Sequence, residues 1–234
     1  MITLTFQGGL GNQLWQYAAG RILSRKLGLL FLSEGISGFK DCPKIIVGRV
    51  KMKEKVTLQG HYLPPELQPQ RIHLNGYFER YEYISDFMED VKKWYQPNVE
   101  KVRVESNALT VSIRRGSNNW PVETLCPKKE YYVQKIAELG FKKHYICTDS
   151  PDDEFIQDLS SEFSNCTVVR SDALSQFSFI QNSKNVFIAP STFSWWGAMT
   201  GTAEHVFWPQ IPALNFLNTD FDWFPKDNKK VVLV

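Results

Sequence analysis

Two adjacent arginines and a glycine close an apolar, β-rich run in LTVSIRRGSNNW, Leu109 to Trp120. Arg114 and Arg115 carry planar guanidinium forks that pair bidentately with phosphate oxygens and cannot lose their charge. Two fixed cations at a strand end are what an enzyme needs to hold a diphosphate leaving group, and each charge-assisted hydrogen bond is worth roughly 1.5–3 kcal/mol. The competing reading gives one arginine an ion-pair partner and leaves the other in solvent.

Three further segments offer related chemistry. In QGGLGNQ, Gln7 to Gln13, the glycines Gly8, Gly9 and Gly11 let backbone N–H groups come close to a ligand. The helix that follows favours negative charge at its start by up to ~1 kcal/mol. Leu14 stands where GxGxxG needs its third glycine, so a tight turn without a ligand fits this segment equally well. In CTDS, Asp149 and Ser150 follow a strand, where they either accept hydrogen bonds from a base or ribose or cap the next helix. In APSTFSWWGAM, Ala189 to Met199, the Ser191 and Thr192 hydroxyls and the N–H groups of a helix start form an anion site, while Trp195 and Trp196 pack inside. A cap and a ligand site can share residues.

Other chemistries find little support. His61, His73, His144 and His205 are scattered, and the four cysteines Cys42, Cys126, Cys147 and Cys166 show no CxxC, so no metal site is expected and the thiols read as reduced and mostly buried. Asp220-Phe221-Asp222 matches the DxD pattern of metal-bound nucleotide sites, but beside Trp223 and Phe224 it reads as a solvated turn. Walker, GxSxG and HExxH motifs are missing from the sequence.

The elements that must position these segments follow a βαβ rhythm. Ile2 to Phe6 reads as a strand, Asn12 to Leu27 as a helix and Leu29 to Leu32 as a strand. Short strands are expected near Val56 to Leu58 and at Arg71 to Tyr77, then a helix from Glu82 to Tyr95 that Pro97 ends. The rhythm restarts with strands at Ala108–Ile113, His144–Cys147, Thr167–Val169, Asn185–Ile188 and His205–Phe207. Helices intervene at Lys129–Leu139, Pro151–Leu159 and Ala173–Asn182, and one capped by Ser191 or Thr192 runs to about Thr200. Such alternation implies an α/β protein with parallel sheets, whose ligands sit beyond the carboxyl ends of the strands. The seam between the halves is placed between Pro97 and Asn107, giving domains 1–103 and 104–234.

Bulk properties set outer bounds. A chain of 234 residues with 43% hydrophobic residues holds one domain or two small ones. A net charge of +2 with no basic tract argues against nucleic-acid binding. The opening MITLTFQGG lacks the features of a signal peptide and no apolar run approaches a membrane span, so a soluble, cytoplasmic protein is expected.

Taken together and in this order, the four segments resemble the α-1,2-fucosyltransferase family, which uses GDP-fucose and inverts the anomeric centre. GGLGNQLWQYAAGR, Gly8 to Arg21, is close to that family's N-terminal signature, IRRG looks like the core of its HxRRGDY motif, and STFSWWGA, Ser191 to Ala198, is similar to its C-terminal signature. Weaker matches are NGYFERYEYI after Leu74, the Tyr131-Tyr132 pair, and HYICTDS ending at Ser150. The resemblance implies a GT-B fold, two Rossmann-like domains facing across a cleft, the N-terminal one small, with no metal or cofactor and GDP-fucose as donor. It implies donor binding by Gly9, Gly11, Asp149, Ser150, Ser191, Thr192 and Phe193, the diphosphate on Arg114 or Arg115, and Asn12 directed toward the sugar. Ser112, Ser117 and Asn118 stand where the family has His, Asp and Tyr, which removes two groups that could serve as base or orient the arginines. The partners implied are a GDP-sugar and a glycan acceptor, with peripheral membrane association if that acceptor is lipid-linked. Two rival readings stay open: a transferase using another GDP-sugar such as GDP-mannose, and a non-catalytic nucleotide-sugar-binding module.

Overall fold

A computed structural model describes residues 1–45, 56–116, 126–210, 223 and 229–234. The chain divides into two compact units, one built on Met1–Asn98 and the other beginning at Val99. Ser117, Asn118 and the Asp220-Phe221-Asp222 triplet lie outside the described residues.

The first unit holds strands β1 (Ile2–Leu4), β2 (Phe31–Leu32), β3 (Val56–Gly60) and β4 (Ile72–Gly76) in a parallel sheet of order β2-β1-β4-β3. Helix α1 (Leu10–Leu27) connects β1 to β2 and buries Leu14, Trp15, Tyr17, Ala18 and Ile22. It ends on Gly28 at φ 63°, whose N–H reaches the Arg25 and Ser24 carbonyls. The helix expected over Glu82 to Tyr95 is broken. Tyr81–Ile84 (α2) and Met88–Trp94 (α3) flank a 3₁₀ turn at Ser85–Phe87, where the Ser85 hydroxyl bonds the Glu82 carbonyl at 3.3 Å. A serine hydroxyl that takes a local carbonyl competes with the regular helical ladder.

The second unit repeats strand and helix: β5 (Leu109–Ile113), α4 (Lys129–Leu139), β6 (His144–Thr148), α5 (Glu154–Ser161), β7 (Cys166–Val169), α6 (Ala173–Gln181), β8 (Asn185–Ile188), α7 (Thr192–Thr200), β9 (His205–Trp208) and β10 (Val231–Leu233). Every residue of β5 is buried, as expected of a central strand in a sheet covered on both faces. Leu109, Val111, Ile113, Tyr132, Ile146 and Phe187 centre the core beside it. The six parallel strands run in the order β10-β9-β8-β5-β6-β7. Counted from β5, that is the 3-2-1-4-5-6 order of a Rossmann-like sheet. The α/β class with parallel sheets is therefore observed. Strand β10 was not expected: it is three residues long, partly exposed, and exists through its pairing of Val231 with Val206.

The second sheet has a position where connections from neighbouring strands leave in opposite directions: from β5 the chain moves to β6 on one side and from β8 to β9 on the other. Open parallel sheets bind ligands outside the carboxyl ends of strands at such positions.

Candidate functional site

The Arg114-Arg115-Gly116 turn leaves the carboxyl end of β5 in the second unit. Its conformation is held from the neighbouring strand end. The exposed Asp149, just beyond β6, accepts the Arg115 N–H at 2.8 Å and the Gly116 N–H at 3.1 Å through the same carboxylate oxygen. Gly116 lies against Ser150, where an added Cβ would come within 2.2 Å of the serine hydroxyl. Asp149 thus holds the arginine turn, and the alternative that it or Ser150 caps the next helix is not what is found. Asp153 fills that role by accepting the Phe155 N–H at 2.9 Å, which also moves the start of α5 from the expected Pro151 to Glu154.

The two arginines have different surroundings. The Arg115 Nε lies 3.3 Å from Asp153, and its guanidinium sits 4.2 Å from the centre of the Phe155 ring. It also hydrogen-bonds the Cys126 thiol, whose pKa burial raises and this contact lowers. Arg115 is therefore an internal strut between β5 and α5. The Arg114 side chain is half-buried; burial lowers its pKa, and the negative charge of Asp149 works in the opposite direction.

On the other side of the switch point, β8 leads through Pro190 into α7. Ser191 occupies the N-cap position at φ −141° and ψ 128°, and its carbonyl takes the Trp195 N–H at 3.0 Å. Its side chain makes no capping hydrogen bond, so the serine cap expected from the sequence is absent although the helix begins where expected. Ser191 and Thr192 are buried, and Phe193 meets Phe177 edge-on at 5.5 Å. Trp195 and Trp196 are fully buried, edge-to-face at 4.7 Å. The helix seats closely because Gly197 leaves room for Ile180, where a Cβ would come within 2.7 Å.

Ser112 acquires a clear position. Its hydroxyl lies 2.6 Å from that of Ser194 in the first turn of α7, both buried, and its carbonyl accepts the Ala189 N–H at 2.9 Å. The residue standing where the resembled family has histidine thus pins β5 to α7 instead of facing outward as an acid or base.

In the first unit, helix α1 starts at Leu10 rather than Asn12, so Gly11 is a buried helical residue and not part of the turn. Gly8 is the position that needs glycine: φ is 68°, and a Cβ would fall 2.4 Å from the Asn12 amide nitrogen. Gly9 has open space around it and serves as the N-cap without a side-chain bond. Asn12 thus lies over the turn in the first helical residues. Sequence reasoning missed the glutamines that brace this end. Gln7 exchanges backbone N–H and C=O with the Gln16 amide at 2.9 and 3.0 Å, and its own amide bonds Asn75 at 2.6 Å, which joins the ends of β1 and β4.

It also missed Glu79. This residue follows β4 closely, is only 7% exposed, and has a carboxyl whose pKa burial pushes up to about 7. Phe78 before it adopts φ 53°, the one non-glycine residue with positive φ among those described. A Glu within the short polar run Glu79-Arg80 gives no signal of burial in sequence alone.

Among the described residues no cluster of three His, Cys, Asp or Glu side chains could hold a metal ion, and no helix is long and apolar enough to cross a membrane. The four thiols are unpaired, with Cys42 and Cys147 buried and Cys126 and Cys166 partly so. No protein-family model and no curated protein matches the chain.

Proposed function

We propose that this chain is an inverting glycosyltransferase that moves L-fucose from GDP-fucose to a hydroxyl of a glycan acceptor, with its two units acting as the Rossmann-like domains of a GT-B enzyme. The observation that carries the reading is the half-buried Arg114 at the carboxyl end of β5, across the switch point from the start of α7, whose N-cap Ser191 spends no side-chain hydrogen bond on the cap. A cation and a helix N-terminus on the two sides of one crevice form an anion site of two independent parts. The diphosphate of a nucleotide is an anion of matching kind.

In the proposed reaction the acceptor oxygen bonds to the anomeric carbon while the bond from that carbon to the β-phosphate oxygen breaks, leaving its electron pair on GDP. Arg114 and the first turn of α7 stabilise the charge that builds on the phosphate. One well-placed donor to developing charge contributes about 10²–10³-fold in rate. Arg115 and Asp149 are positioning residues, since both are engaged in holding the turn from which Arg114 projects. Ser191, Thr192 and Phe193 line the phosphate and nucleoside side, and Gly9, Gly11 and Asn12 belong to the sugar-facing side by resemblance. The work is placed in the cytoplasm, on a glycan acceptor that a lipid carrier could hold at a membrane surface.

A second reading, a nucleotide-sugar-binding module without turnover, is favoured by one observation. Ser112 is locked to Ser194, so no acid or base accompanies the arginines at the position before Ile113. Calorimetric titration with GDP, GDP-fucose and GDP-mannose, with and without a chelator, tests nucleotide, sugar and metal dependence together. Binding of none of the three would refute the donor site, and preference for GDP-mannose would change the sugar. Binding without GDP release across acceptors would favour the module.

A further inference from the structure

We propose that Gln176, in the first turns of α6, is a positioning residue of the nucleotide site, an inference that rests on the donor-site reading given above. Its buried amide fixes the end of β6 and, through Asp149, sets the turn from which Arg114 projects.

The pairing of β6 with β7 stops short of the site. Its last pair is Cys147 with Val169, whereas on the other side β6 runs one residue further and pairs Thr148 with Ile113. Gln176 takes over where the pairing with β7 ends. Its amide nitrogen donates to the Thr148 carbonyl at 2.9 Å and to the Ser171 carbonyl at 3.0 Å, so one side chain ties the end of β6 to the loop after β7. Gln176 and Thr148 are both buried, and a buried carbonyl deprived of its donor carries a desolvation cost. Asp172 holds the start of α6 by accepting the Leu174 and Ser175 N–H groups at 2.9 and 3.1 Å, which keeps Gln176 in place. A second tie between the same two loops, Arg170 with Asp152 at 2.8 Å, is exposed, and exposed ion pairs contribute little. The buried amide is therefore the tie that decides where the end of β6 lies.

From Thr148 the path to the arginines is short. Asp149 is the next residue, and one of its carboxylate oxygens takes both the Arg115 and the Gly116 N–H. The Thr148 hydroxyl accepts the Ser150 N–H at 3.2 Å, and Ser150 is the side chain that Gly116 packs against. Both residues that shape the arginine turn are thus set from the one whose carbonyl Gln176 holds. An oxygen shared by two N–H groups keeps both bonds over a narrow range of positions, because such bonds weaken steeply with angle.

The same unit carries a matched amide at the other end of the sheet. Asn185, the first residue of β8, donates to the Ser106 and Ala108 carbonyls at 3.0 and 3.2 Å, and its amide oxygen lies 3.0 Å from the His205 Nδ1. Each of these buried amides satisfies two backbone carbonyls, so each stabilises the unit. Only Gln176 stands at the carboxyl ends of the strands, where open parallel sheets bind their ligands.

Gln176→Met and Asn185→Leu remove the two amides and keep most of the side-chain volume. Calorimetric titration with GDP, well below the unfolding midpoint of each variant, separates position from stability. We expect Gln176→Met to weaken GDP binding about tenfold and Asn185→Leu to leave it within about twofold, although both lower the urea midpoint. In an Asp149→Ala background, where the link is already cut, Gln176→Met should weaken binding by no more than about threefold further. If Gln176→Met does not fold, Gln176→Asn, whose shorter stem withdraws the amide from the two carbonyls, takes its place in the same comparison. Unchanged GDP affinity in the Gln176 variant, equal losses in the Gln176 and Asn185 variants, or a full loss that persists without Asp149 would each overturn the role and leave the donor site standing. A wild-type chain that binds no GDP would instead remove the donor site, and the role of Gln176 with it.

Discussion

Replacing Glu79 by Gln should stabilise the protein at neutral and alkaline pH and leave it unchanged in acid. In the folded chain burial raises the carboxyl from 4.5 to about 7, whereas the unfolded chain ionises it at the ordinary value. Below pH ~4.5 both states hold the proton, and the residue contributes nothing pH-dependent. As pH rises toward 7 the unfolded state releases the proton while the folded state keeps it, so stability falls by roughly 1.4 kcal/mol per pH unit. Above pH 7 the whole cost is present. A displacement of this size amounts to ~3 kcal/mol at 1.36 kcal/mol per unit. Glutamine has nearly the same shape and no charge to desolvate, so the variant should gain about that amount at pH 8.5 and nothing at pH 4. Urea unfolding followed by tryptophan fluorescence between pH 4 and pH 8.5 measures the difference directly. A difference that stays flat across this range, or a variant less stable than wild type at pH 8.5, would refute the reading of Glu79 as an uncompensated buried acid.

Arg114→Ala should weaken GDP binding and lower turnover by at least ~100-fold, while Arg115→Ala should leave GDP affinity within about tenfold and lower the unfolding midpoint instead; equal losses of affinity in both would contradict the division of labour. Asp149→Ala strips the acceptor from two backbone N–H groups, so a destabilisation of ~1–3 kcal/mol is expected in urea titrations together with a raised KM for the donor. Ser112→Ala and Ser194→Ala should each destabilise by ~1–3 kcal/mol, and the double variant should cost less than their sum, which a double-mutant cycle would read as positive coupling. Gly76→Ala should unfold the first unit preferentially, as shown by hydrogen exchange in β3 and β4, because the added methyl would meet backbone rather than a movable side chain.

The parallel α/β rhythm of the second unit was legible because its signals are local. The β5 run is apolar throughout, α4 stops at a glycine, and β8 is a short buried run between loop residues. What could not be read depends on distant partners. Strand β10 forms only because β9 offers an edge, and α1 begins two residues early because Gly9 caps it with backbone conformation and no side-chain signature. At the site, the arginine pair and the α7 start were visible, but not what holds Arg115: Asp153 and Phe155 lie far along the chain. Glu79 escaped notice for the same reason, since a glutamate beside an arginine carries no local sign that tertiary packing will bury it.

The unlike environments of Arg114 and Arg115 bear on how the doublet tolerates change over evolutionary time. Arg115 answers to an internal acid and an internal ring, so substitutions there should travel in company with positions 153 and 155, as a lysine or glutamine matched by a different cap and a smaller side chain. Arg114 lies instead in the field of Asp149, at the strand end that faces the proposed ligand. An alignment of descendants of this chain would therefore separate two neighbouring letters into one that drifts with its lineage and one that changes only when the ligand does.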